Sequence, residues 1–166
     1  MQRIVVMGPP GSGKSTLARR LGANHGLPVF HLDQIYWQPG WVEQQADRFR
    51  TDAEHLAQRP AWVIDGNYTA ALDCRLSAAD TVIYIDAPTW MCMARLLRRT
   101  LSNYRRVRAD AAPGCPERFD ATFLRFAWSW NRARRTQVLM LVHHFPGRKL
   151  VLRTRAQQDR LLSDQL

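Results

Sequence analysis

The sequence predicts an α/β protein: one domain over residues 1–166, built on a mostly parallel sheet with helices packed against it. Three observations carry this expectation. Short apolar, β-branched runs alternate with stretches whose apolar residues recur every three or four positions. The first run leads straight into Gly8-Pro9-Pro10-Gly11-Ser12-Gly13-Lys14-Ser15, which in turn opens a helical stretch. A chain of 166 residues, 46% hydrophobic, has enough apolar material for one core, and no repeat or linker divides it.

Taken in order, Arg3-Ile4-Val5-Val6-Met7 is the continuous apolar run of a buried central strand. After the glycine-rich turn, Leu17, Ala18 and Leu21 recur at helical spacing. Residues 28–32 read as a second strand turning at Asp33, and 34–40 as an aromatic loop holding Tyr36 and Trp37, with Trp41 just beyond. A helix is expected over 43–58, and a third strand over 61–65 that stops at Gly66-Asn67. The fourth strand, 81–86, ends at Ala87-Pro88, and Thr89 is placed to cap a helix reaching about 101. Residues 103–116 are polar, arginine-rich and interrupted by proline and glycine, which predicts a mobile loop. A long helix or helix pair follows over 119–144, then a fifth strand over 148–153 and a closing helix over 157–162.

Bulk properties narrow the function classes. No apolar run approaches the roughly 20 residues of a membrane span, and the strand-like start does not read as a signal peptide. Cys74, Cys92 and Cys115 form no CxxC pair, which argues against a disulfide framework or a four-cysteine zinc site. A reduced, cytoplasmic setting without a membrane is the expectation. The net charge is +10, and all but two of the 24 basic residues are arginine, the exceptions being Lys14 and Lys149. The planar guanidinium fork suits bidentate contact with phosphate, so the skew points to phosphorylated ligands.

The loop from Gly8 to Ser15 has the chemistry for such a ligand. Its glycines let backbone N–H groups approach phosphate oxygens, and the following helix directs its positive end at the same anion. This predicts ATP held by Gly8, Pro9, Pro10, Gly11, Ser12, Gly13, Lys14 and Ser15, with Thr16 in a secondary contact. Lys14 reaches the β- and γ-phosphates, and the Ser15 hydroxyl goes to Mg²⁺. Asp33, Asp65 and Asp86 stand at or just past strand ends, where an open parallel sheet binds ligands. Asp65 reads as the Mg²⁺-side carboxylate and Asp33 as the base for a hydroxyl acceptor. Asp86 reads equally as a turn former.

The strings GPPGSGKSTLARRL, HLDQIYWQPGW, DGNYTAALDCRL and ADTVIYIDAP, continuing through GCPERFDATFLRFAW, resemble the adenylate-kinase-like nucleotide kinases. Within these they are most similar to the DNA topology modulation (FlaR-type) proteins. The resemblance implies a three-layer P-loop NTPase fold with five parallel strands in the order 2-3-1-4-5 and a lid at about 100–120. It implies that Arg95 stacks on adenine, that Arg99 is a lid phosphate contact, and that Thr154-Arg155 meets the nucleobase. Arg75 is similar in position to an arginine that binds the acceptor's phosphate. The chain departs from that pattern after the third strand, where Asp65-Gly66-Asn67-Tyr68 replaces the usual sequence. It departs again between Asp33 and Pro60, where aromatic residues stand in place of monophosphate-binding helices.

Phosphoryl transfer needs positive charge around the loosening γ-phosphate and exclusion of water. Arg95 with Arg99, and Arg132 with Arg135, each share a helix face and are expected to supply that charge. Tyr36, Trp37, Tyr68 and Trp41 are candidates to stack on the acceptor. The expected function is therefore transfer of the γ-phosphate of Mg·ATP to a small-molecule, nucleotide or nucleoside-like acceptor. The alternative is a DNA-associated ATP-binding regulatory protein with little or no kinase turnover. The charge motivates it, and the absence of a DNA-reading motif weighs against it.

Overall fold

The computed structural model describes residues 1–163. Strand β1 (Arg3–Met7) is central, flanked by β5 (Trp62–Asp65) and β6 (Thr81–Ile85). Outside them lie β2 (Val29–His31) and β7 (Arg148–Leu152), giving five parallel strands in the order β2-β5-β1-β6-β7. This is the strand order that the resemblance implies.

Alternation along the strands explains the three layers. Val5, Met7, Ile64, Val82 and Tyr84 point to one face, where α3 (Ala46–Ala57), α4 (Leu72–Ala78) and α6 (Ala121–His144) cover them. Ile4, Val6, Val63, Ile83 and Ile85 point to the other, against α1 (Lys14–His25), α5 (Thr89–Ser102) and α7 (Arg155–Ser163). The β1 residues Ile4, Val5 and Val6 are fully buried on both sides, as a central parallel strand requires. Among the described residues, no helix is long and apolar enough to cross a membrane.

Three local expectations change. The second strand is shorter, because Leu32 already starts a one-turn helix, α2 (Leu32–Tyr36), which carries Asp33 in its first turn. The expected aromatic loop is a hairpin, β3 (Trp37–Gln38) paired antiparallel with β4 (Val42–Glu43), so the next helix begins at Ala46 rather than 43. Thr89 does not cap α5; it is the first helical residue, and its hydroxyl accepts a 3.0 Å hydrogen bond from Asn131 on α6. The cap of α6 is Asp120, whose carboxylate accepts from the Phe123 N–H at 2.9 Å.

The arginine-rich segment over 103–116 is tied into the molecule. Arg105 N–H donates to Glu117 O and Glu117 N–H to Arg106 O, each at 2.9 Å, while Ala111, Ala112 and Cys115 are buried.

Candidate active site

The turn between β1 and α1 is shaped by steric necessity. Gly11 has φ +79°, and a Cβ there would meet the Cys92 carbonyl oxygen at 2.4 Å. Gly13, at φ +96°, sits at the start of α1 and accepts the Leu17 N–H at 3.0 Å. Asn67, from the segment after β5, clamps the other end of the turn. Its amide donates to Gly8 O at 2.7 Å and its carbonyl accepts from Gly8 N–H at 3.2 Å. The DGN string therefore positions the loop as well as the crevice opposite it.

Behind the loop, Ser15 Oγ donates to Asp65 Oδ2 at 2.6 Å, and His31 Nδ1 lies 2.5 Å from Asp65 Oδ1. Burial acts to lower the His31 pKa, but the hydrogen bond and charge of Asp65 outweigh it, and the net shift is upward. The imidazole thus fixes one oxygen of Asp65 while the other meets Ser15. Side by side, a hydroxyl and a carboxylate oxygen form the hard-oxygen donor set suited to Mg²⁺, which takes few protein ligands and completes its shell with phosphate and water.

A cavity of about 470 Å³ opens from Pro10, Gly11, Lys14 and Ser15 towards the aromatic residues beyond. Asp33 lines it, and Tyr68 donates its hydroxyl to Asp33 Oδ1 at 2.6 Å. Burial, and next the Asp33 charge, push the Tyr68 pKa far up, so its phenol stays a donor. Tyr36, Trp37, Trp41 and Phe49 complete this wall, with Tyr36 and Tyr68 centroids 4.4 Å apart and Trp37 and Trp41 5.5 Å apart. The opposite wall is one face of α6: Phe123, Phe126, Trp130, Arg134, Val138 and Leu141. A second recess of about 200 Å³ lies on the far side of the loop, lined by Gly13, Lys14, Thr16, Arg95 and Arg99 among others. Arg95 Nη1 donates to Ser12 O at 3.1 Å there.

Both recesses share Arg99, Arg108 and Asp110. Buried Glu117 holds these arginines, with Arg108 Nε at 2.7 Å, Arg99 Nε at 3.2 Å and the Thr100 hydroxyl at 3.1 Å. Burial, followed by the neighbouring Arg108, lowers the Arg99 pKa. The 103–117 segment is joined in turn to the β3–β4 hairpin. Gly40 N–H donates to Gly114 O at 2.9 Å, Trp41 Nε1 to Pro116 O at 2.9 Å, and Cys115 Sγ to Gln38 O at 3.1 Å. Trp41 adopts the left-handed φ of 65°, which costs a non-glycine residue about 1–2 kcal/mol. Its bond to Pro116 helps hold it there.

Several sequence expectations are corrected. Arg75 is fully buried, and its guanidinium donates to the carbonyls of Ala71 (2.7 Å), Gly66 (3.1 Å) and Tyr68 (2.7 Å). It builds the turn after β5 and does not face an acceptor. Arg135 forms a two-pronged pair with Asp86, both contacts 2.7 Å, and Arg153 adds a third at 3.3 Å. Asp86 is thereby a structural anchor. Neither Arg135 nor Arg132 lines either recess; on α6 it is Arg134 that does. Thr154 and Arg155 form the turn into α7, where the Thr154 hydroxyl accepts Gln157 N–H at 3.2 Å and Arg155 pairs with Asp159 at 3.4 Å.

Sequence reasoning passed over His31, Asn67, Arg108, Glu117 and Arg134. For Arg134 the signal was present: 123, 126, 130, 134, 138 and 141 recur at helical spacing and mark one face.

With this geometry in view, residues 4–112 match the family model of an AAA domain. The chain belongs to the AAA domain family. Among sequence relatives of this AAA domain chain is the cytidylate kinase of Aeropyrum pernix, 28% identical over 64% of this chain and 69% of that protein. Among solved structures, the shikimate kinase of Acinetobacter baumannii in complex with shikimate superposes with TM-score 0.61. The two are 18% identical, over 98% of this chain and 91% of that one. The shikimate kinase of Bacteroides thetaiotaomicron gives TM-score 0.60 at 14% identity, over 97% and 94%. The AAA domain here thus has the P-loop kinase fold.

Proposed function

We propose that this protein is an ATP-dependent kinase that moves the γ-phosphoryl group of Mg·ATP to a small molecule bound in the aromatic cavity. One observation carries the reading. The phosphate loop, Ser15 with Asp65 hydrogen-bonded behind it, the carboxylate of Asp33 and the arginines held by Glu117 come together at one continuous cavity. The kinase fold and the cytidylate kinase relative support it.

In this reading the loop N–H groups and Lys14 hold the phosphates, and Ser15 with Asp65 orients the ion. Mg²⁺, when bound, draws charge from the phosphoryl oxygens. Arg99 and Arg108 face the transferring group, and Arg95, with Thr16 beside it, serves the nucleotide side. Asp33 takes the proton of the attacking hydroxyl; its Oδ1 is already engaged by Tyr68, which leaves Oδ2 for the acceptor. The similarity of HLDQIYWQPGW and DGNY to the FlaR-type proteins belongs to the same proposal. The DNA-associated alternative draws no support from the comparisons.

An ADP-release assay over a panel of small alcohols and nucleotides tests the reading. Acceptor-dependent ADP formation, abolished by Lys14→Ala, is expected. ADP formation unaffected by every acceptor, in protein that binds ATP, would overturn it.

A further inference from the structure

We infer that the acceptor is a neutral, ring-bearing alcohol and not a phosphorylated molecule such as a nucleoside monophosphate. The inference rests on the kinase reading and sharpens it.

A site for a phosphate-bearing acceptor needs convergent cations free to meet a dianion. Beyond the cations that serve ATP and the transferring group, the cavity offers few. Arg99 and Arg108 already share the carboxylate of Glu117, at 3.2 and 2.7 Å, and Arg108 also meets Asp110 at 3.1 Å. Arg118 faces Asp120 at 3.6 Å. Lys14 stands in the phosphate loop and is committed to ATP. Arg134 is exposed, a single cation on the α6 wall. Arg75 is fully buried with three backbone carbonyls around its guanidinium, so it is not a free cation either.

The acceptor end instead carries a negative charge, Asp33, which would repel an acceptor phosphate brought beside ATP. A carboxylate with one oxygen bonded to a tyrosine hydroxyl and the other open is a receptor for a neutral O–H donor. Much of the remaining wall is aromatic and aliphatic, with Tyr36 and Trp37 on one side and Phe123, Phe126 and Leu141 on the other, alongside polar Thr69, Asp120 and Gln137. At about 470 Å³ it is of the size that holds one small ring system with its substituents.

The step balances without a further reactant. The acceptor O–H proton passes to Asp33 Oδ2 as the acceptor oxygen bonds to Pγ. The bond from Pγ to the β,γ-bridging oxygen breaks, and ADP leaves with that electron pair.

The test offers the full chain Mg·ATP together with one of two acceptor sets and follows acceptor phosphorylation. The neutral set is cytidine, thymidine, pyridoxine and 2-phenylethanol; the anionic set is CMP, UMP and shikimate. Phosphorylation within the neutral set is expected, at a kcat/KM at least tenfold above any anionic compound. Asp33→Asn should lower that rate by about 10²–10⁴-fold, the usual worth of a general base, with ATP affinity within about twofold of wild type. Preferred phosphorylation of CMP, UMP or shikimate overturns the inference and leaves the kinase reading standing. No transfer to either set by protein that binds ATP overturns both.

Discussion

Replacing Arg75 separates a scaffolding role from a ligand role. Its guanidinium is fully buried, and burial pulls its pKa down to about 10, so it remains charged at neutral pH. Arg75→Ala takes this donor from the carbonyls of Gly66 and Tyr68, while Ala71 O keeps the Cys74 thiol at 3.3 Å. Each orphaned buried group costs about 1–3 kcal/mol, which sums to roughly 2–6 kcal/mol. Relief from burying a cation offsets part of this, so the net loss should be about 2–4 kcal/mol. For a domain of this size that lowers Tm by about 4–16 °C. Arg75→Lys keeps the charge but loses the fork, and should cost about 1–3 kcal/mol. Thermal unfolding, with nucleotide binding measured on the folded fraction, gives the comparison. A Tm for Arg75→Ala within about 2 °C of wild type, together with a tenfold weaker acceptor KM, would refute the scaffolding role and restore the ligand role.

Other expectations follow from the same contacts. Arg135, then Arg153, hold Asp86 below the usual carboxylate range against the opposing effect of burial. A depressed folded-state pKa stabilises above the unfolded value of about 3.8 and is lost as pH falls through the folded one. Arg135→Ala should therefore cost about 1–2 kcal/mol near neutral pH and move the acid-unfolding midpoint upward, read by circular dichroism; an unchanged midpoint counts against the pair. Glu117→Gln should cut kcat at least tenfold and raise KM for ATP, because Arg99 and Arg108 lose the carboxylate that aims them; unchanged steady-state kinetics would show the pair idle. Gly114→Ala places a Cβ 2.8 Å from Pro39 at φ +73°. It should part the 103–117 segment from the hairpin and raise acceptor KM about three- to tenfold, by roughly 0.6–1.4 kcal/mol; equal KM values would argue that the two do not act together.

Much of this was legible in the residues. The continuous apolar runs at 3–7, 61–65 and 81–86 name the central strands, because only a strand buried on both faces reads without alternation. The glycine spacing from Gly8 to Gly13 names the turn that only glycine can make at Gly11. What escaped depended on tertiary placement. A two-residue strand such as β3 has no period to detect, and the turn from His31 into α2 hides within an apolar stretch. Choosing between Arg134 and Arg135 requires the rotation of α6 about its axis, since neighbouring positions are about 100° apart. The fate of Arg75 turned on three backbone carbonyls contributed by a turn of irregular shape. That 103–117 packs on the hairpin followed from contacts spanning more than 70 positions, such as Gln34 with Ala109 and Trp41 with Pro116.

The central claim is transfer of phosphorus from ATP to an acceptor in the cavity beyond Lys14. Phosphorus-31 NMR of the protein with Mg·ATP and the acceptor set tests it most directly. The account predicts a phosphate monoester resonance that grows one-to-one with ADP and vanishes with Lys14→Ala or Asp33→Asn. ADP accompanied only by inorganic phosphate, or an unchanged ATP spectrum from folded, ATP-binding protein, would contradict it.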